Sequence, residues 1–119
     1  MTRDFKLFLN DILQACESIQ EFVEGMDFDD FVRDDKTSSA VVNKFEIIGE
    51  AVKNLPKFIV EKYPQAPWKD MAGMRDRLIH AYFKIDYRIV WDTIEDKIPE
   101  VKSLITQILN DLEEKNNEE

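Results

Sequence analysis

A chain of 119 residues, 44% of them apolar and 34% charged, is long enough to bury one core and too short for two. Its 16 Lys and Arg against 25 Asp and Glu leave a net charge of −9, which repels a polyanion at long range and disfavours general nucleic-acid binding. No apolar run approaches the ~20 residues that cross a bilayer, and the N-terminus has no signal-peptide layout. The expectation is therefore a soluble, cytoplasmic protein with no membrane partner.

In chain order, Thr2 is expected to cap a first helix, with Asp4 favourably placed against its dipole. Phe5, Phe8, Leu9, Ile12, Leu13, Cys16, Ile19, Phe22 and Val23 recur at spacings of three and four, which specifies a helix with one buried face. Cys16 stands alone on that stripe, so it reads as a buried, inert thiol that forms no internal disulfide or thiolate cluster. Gly25 ends the helix. Asp27 then caps a short helix carrying Phe28, Phe31 and Val32, a plug for one end of the core, and Arg33 to Lys36 reads as a polar connection.

Thr37, Ser38 or Ser39 caps a second long helix with the stripe Val41, Val42, Phe45, Ile48, Ala51, Val52 and Leu55. Gly49 inside it costs about 1 kcal/mol against Ala, which points to close approach of another helix. Glu50 beside it reads either as a solvated helix position or as part of a site. Pro56 breaks the helix and starts a short one through Phe58, Ile59 and Tyr63; Pro64 and Pro67 then force a tight connection.

Trp68, Met71 and Met74 lead into a helix expected to stop near Phe83, because Asp86 reads as the cap of the next, with Tyr87, Val90, Trp91 and Ile94 on its apolar face. Pro99 interrupts and restarts that pattern, and Val101, Leu104, Ile105, Ile108, Leu109 and Leu112 continue it. The class is all-α: an up-and-down bundle of three to four long helices with short accessory helices, one domain over 1–112 and a charged, fraying tail over 113–119.

The polar chemistry is concentrated in Met74-Arg75-Asp76-Arg77-Leu78-Ile79-His80-Ala81-Tyr82-Phe83, which holds the only histidine. From Lys69 to Arg88 the chain carries a charge of +2 while the remainder carries −11, so a phosphate-bearing ligand would be held here. Histidine exchanges a proton near neutral pH, and arginine offers a planar, permanent cation for a phosphate. Together they are what metal-free RNA cleavage needs; a lone histidine in a small helical protein is also commonly a packed or surface residue. One histidine and scattered acids supply no metal-ligand cluster, and no cofactor is called for.

Helix geometry constrains the pair. At ~100° per residue, Arg75 and Tyr82 fall nearly on one line, Asp76 and His80 share a face, and Arg75 and His80 diverge by about 140°. A joint site requires the helix to end around His80, a long reach by Arg75, or the same helix of a second subunit across a two-fold axis. The last is the working expectation; the alternative makes Arg75 a buried ion-pairing residue. Trp68, Met71, Met74 and Phe83 are candidates for the centre of a homodimer interface, their other reading being ordinary core.

The Arg75-x4-His80-x-Tyr82 pattern, with Asp76 after the arginine, resembles the signature of HepT-like toxins of the HEPN superfamily. The resemblance extends through Phe31, Ile47-Ile48-Gly49-Glu50-Ala51, Tyr63-Pro64, Pro67-Trp68, Met74-Arg75-Asp76 and Trp91. It implies a dimerising helical bundle that acts as the toxin of a type VII toxin–antitoxin pair. The partner it implies is a minimal (MNT-type) nucleotidyltransferase antitoxin, and the activity a metal-independent endoribonuclease. Under it His80 is the general acid or base, Arg75 holds the scissile phosphate, Asp76 orients the site, Tyr82 lines it, and Glu50 supports it. Tyr82 is also the residue onto which the antitoxin transfers AMP from ATP, which requires its hydroxyl to be reachable; the contrary reading packs Tyr82 under the bundle with Phe83. The rival function is a non-catalytic substrate-binding or regulatory subunit of a nucleotidyltransferase.

Overall fold

Aspartates set where the helices begin. In the computed structural model, which describes residues 4–80 and 85–117 (without the side chains of 75, 78–80, 116 and 117), the Asp4 carboxylate accepts from the Lys6 amide at 2.9 Å and opens α1 (Phe5–Phe22). The cap expected at Thr2 lies outside the described residues, and Asp4 takes that role. Gly25, at φ 78°, supplies the left-handed turn that follows. Asp27 caps α2 (Phe28–Arg33) in a reciprocal box with Asp30, each carboxylate accepting from the other residue's amide at 2.8 and 3.1 Å.

The connection expected over Arg33 to Lys36 is shorter, because α3 (Asp35–Lys53) starts almost where α2 stops. Asp34 caps it, accepting from the Thr37 amide at 3.0 Å and its hydroxyl at 2.8 Å. A carboxylate already in place leaves the hydroxyls of 37–39 no capping role; Ser38 is buried and donates to the Asp35 carbonyl at 3.1 Å. The Thr37 amide and hydroxyl hold the Asp34 carboxyl below the usual carboxylate range. That contribution to the α2–α3 junction is present above the ordinary carboxylate pKa and lost as the pH falls below it.

Pro56 precedes α4 (Lys57–Lys62), and the turn through Pro64 and Pro67 leads to α5 (Trp68–His80). Asp86 caps α6 (Tyr87–Asp96), accepting from the Ile89 amide at 3.2 Å, and α7 (Ile98–Asn117) follows after a single turn residue, Lys97. Pro99 falls in the first turn of α7, where its missing N–H costs nothing. The helix continues to Asn117, into the charged segment that begins at Glu113. The expected helix end near Phe83 lies outside the described residues.

All seven elements are helices, and the described residues contain no strand. Across the bundle the long helices lie in the order α5, α3, α1, α7, with α6 against α7 and α2 against both α3 and α6. The core runs through Leu9, Ile12, Cys16 and Ile19 of α1, Val41, Phe45 and Ile48 of α3, and Val101, Ile105 and Ile108 of α7, all buried. Each such side chain contributes about 1.5–3 kcal/mol of burial. Gly49 is buried on α3. Burial pushes the Cys16 thiol up to about 12, so it is not a thiolate at neutral pH.

Phe31 plugs one end as its sequence position implies: it is fully buried, with ring centroids 6.1 Å from Tyr87 and 5.3 Å from Trp91. These contacts lock α2 to α6. Tyr63 donates its hydroxyl to Asp111 of α7 at 3.0 Å, holding the approach to α5 from the other side. Among the described residues no helix is long and apolar enough to cross a membrane.

Candidate functional site

The helix that carries the motif is anchored at its start. Trp68 donates its indole N–H to the Tyr63 carbonyl at 2.9 Å, and the Met71 amide donates to the Pro67 carbonyl at 3.0 Å, so the proline turn supplies the first acceptors of α5. Trp68, Met71 and Met74 are buried at 7%, 8% and 6% exposure. This corrects the expectation that they centre an interface: the bundle of a single chain already covers them, because α5 turns that face onto α3. Phe83, the fourth member of that group, lies outside the described residues.

From this footing α5 runs unbroken through positions 75 and 80. The helical register therefore separates those positions by about 140° around the axis, as the spacing requires. The side chains of Arg75 and His80, and all of Tyr82, lie outside the described residues. Asp76 is exposed on α5, and its carboxylate meets the Lys53 ammonium at 3.2 Å, joining the last turn of α3 to the motif helix. Glu50 is also exposed, but it lines a groove between α1 and α3 with Phe8, Asp11, Asn43, Glu46 and Asn54. Asp76 does not line that groove; it meets Lys53, which stands one turn along α3 from Glu50.

The Lys53–Asp76 pair was not legible beforehand, since 23 residues separate its members and neither is apolar. With side-chain exposures of 39% and 52%, its worth is that of a surface pair. A double-mutant cycle of Lys53→Ala and Asp76→Ala in urea unfolding is expected to give a coupling of about 0.2–1 kcal/mol that fades in high salt. A salt-insensitive coupling above about 2 kcal/mol would contradict a solvated pair.

The basic segment resolves into separate tasks. Arg88 lies over the Phe28 ring at 3.9 Å and meets Asp92 at 3.7 Å, so it is engaged in holding α6 to α2. Arg77 is exposed and makes no ion pair among the described residues. It stands at the rim of a groove of about 240 Å³ between α5, α3 and the start of α7. The floor is apolar, built from Phe45, Ile48, Met71, Met74, Ile98 and Val101, while Asp70, Thr93 and Lys97 complete the rim.

Comparison with known proteins gives this geometry its context. The family model described as Ribonuclease HepT-like matches residues 12–108, which include the whole motif helix. A protein of Thermococcus cleftensis named "Probable ribonuclease HepT" is 48% identical over 102 residues, covering 86% of this chain and 93% of its own length. A candidate RNase of Caldanaerobacter subterraneus subsp. tengcongensis is 53% identical over 102 residues, covering 86% and 91%. A candidate RNase of Methanocaldococcus jannaschii is 50% identical over 113 residues, covering 95% and 97%. No solved structure matches.

Proposed function

The chain belongs to the HepT-like ribonuclease family, and on that premise we propose that it is a metal-independent endoribonuclease acting as the toxin of a toxin–antitoxin pair. The observation that carries this reading is the family match, which spans residues 12–108 and with them Arg75, Asp76, His80 and Tyr82. In the proposed reaction the imidazole of His80 takes the proton of a ribose 2′-hydroxyl. The 2′-oxygen attacks the adjacent phosphorus, and the bond to the 5′-oxygen breaks. The leaving oxygen takes up a proton, and the products are a 2′,3′-cyclic phosphate and a 5′-hydroxyl.

Arg75 offsets the charge that grows on the phosphate oxygens, a role that a permanent planar cation fills at any physiological pH. The register of α5 argues for the arrangement. One chain carries one histidine, and its position diverges from Arg75 by about 140°, so a two-fold pair of motif helices supplies both a base and an acid. In that homodimer Arg75 of one protomer serves beside His80 of the partner subunit. Asp76, held by Lys53, keeps the motif helix seated on α3. Glu50, in the α1–α3 groove, is assigned no step in this mechanism.

The antitoxin in this reading is an MNT-type nucleotidyltransferase that silences the toxin at Tyr82. The Tyr82 hydroxyl attacks the α-phosphorus of ATP and pyrophosphate leaves, so an adenylate is placed beside the motif. Its bulk closes the site and its negative charge repels an RNA phosphate. Incubation with the cognate nucleotidyltransferase and ATP is expected to add adenylate to the wild type by intact mass and to abolish RNA cleavage. Tyr82→Phe is expected to stay unmodified and active; modification of that variant would place the acceptor elsewhere.

A further inference from the structure

The groove beneath the motif helix is not absorbed by the mechanism above, although it is built along the same helix. Its floor is buried and apolar, its volume of about 240 Å³ is below that of drug-sized sites, and two cations, Arg77 and Lys97, stand on its rim. In a chain of net charge −9 that pairing is a local reversal. Arg77 makes no ion pair among the described residues, and the only one of Lys97 there is a 4.0 Å approach to exposed Glu100. Both cations are therefore available to an anionic occupant.

Register ties the groove to the proposed chemistry. Positions 77 and 80 are three residues apart, about 60° around α5 and roughly one turn along it, whereas position 75 lies on the far side. Resting on the ribonuclease reading, we propose that this groove is a nucleotide subsite for the RNA substrate. The apolar floor receives a base, Arg77 and Lys97 hold the phosphates that flank it, and the next phosphate along the strand is led toward His80. Asp70 on the rim accepts from a base amino group and turns the phosphates toward the two cations. The strand is thus guided locally by a protein whose overall charge repels it.

The test uses the full chain and a single-stranded RNA oligonucleotide with 2′-O-methyl groups throughout, which lacks the attacking hydroxyl. Binding is followed by anisotropy as a function of salt for the wild type, Arg77→Ala, Lys97→Ala, the double variant, and Lys57→Ala as an exposed control on α4. Each groove variant is expected to weaken binding about fivefold near 0.1 M salt and to make the salt slope shallower by about 0.7, with Lys57→Ala unchanged. Unchanged affinity and slope in the double variant, with helicity and melting intact, would overturn the subsite. So would loss of a dimer in sedimentation on the same changes, which would assign the groove to a second copy. Cleavage of unmodified RNA by the same wild-type preparation reports separately on the ribonuclease reading. A protein that binds through Arg77 and Lys97 without cutting fails that reading and keeps the groove, and the converse result keeps the reading and fails the groove.

Discussion

His80→Ala is expected to lower the rate of RNA cleavage by roughly 10²–10⁴, the usual worth of a positioned general acid or base. The size follows from the composition: no second histidine exists in the chain, so no neighbouring group of similar pKa takes over the proton. If two copies of His80 serve one site as base and acid, the loss falls at the upper end of that range. The variant should fold as the wild type does, because the helix that carries position 80 is seated by Trp68, Met71 and Met74 at its other end. Single-turnover cleavage at saturating RNA isolates the chemical step from binding, and a rise in KM with the saturated rate unchanged would contradict the assignment.

Met74→Asp is expected to unfold the protein. Met74 is 6% exposed in the core between α5, α3 and α7, and truncating a buried methionine costs about 2–5 kcal/mol before any charge is considered. The carboxylate adds desolvation that Arg77, three residues on at the groove rim, offsets only in part. Against a typical total stability of about 5–15 kcal/mol, the sum removes most of the margin. Urea unfolding followed by circular dichroism should show a collapse of the midpoint. A well-folded variant that merely loses a dimer in sedimentation would return Met74 to an interface.

These two residues also show where the sequence was and was not legible. Capping by Asp27 and Asp86 could be read directly, because an aspartate before an apolar helical stripe has one common use. The start of α3 was misplaced because Thr37, Ser38 and Ser39 offer the same signal as Asp34, and only the geometry shows that the carboxylate accepts from both the amide and the hydroxyl of Thr37. The apolar face of α5 was ambiguous for a deeper reason: Trp68, Met71 and Met74 have the composition of either a core or an interface, and which one they form depends on how α3 lies.

Within the site, the divergence of positions 75 and 80 was fixed by spacing alone and persists in the unbroken helix. The contact of Asp76 with Lys53 and the shared groove of Arg77 and Lys97 depend on tertiary placement over 20 or more residues, which no local pattern encodes. Glu50 was singled out by its place beside Gly49, but that local cue carried no information about which groove α3 would present it to.

The most direct measurement is cleavage of total RNA by the purified, unmodified chain in excess EDTA, with the ends of the fragments identified. EDTA silences any co-purifying metal-dependent nuclease, and intact mass verifies that Tyr82 carries no adenylate. The account predicts fragments with 2′,3′-cyclic phosphate and 5′-hydroxyl ends from the wild type and none from His80→Ala. Intact RNA with the unmodified wild type, or equal cleavage by both proteins, would contradict it and favour a non-catalytic subunit of a nucleotidyltransferase.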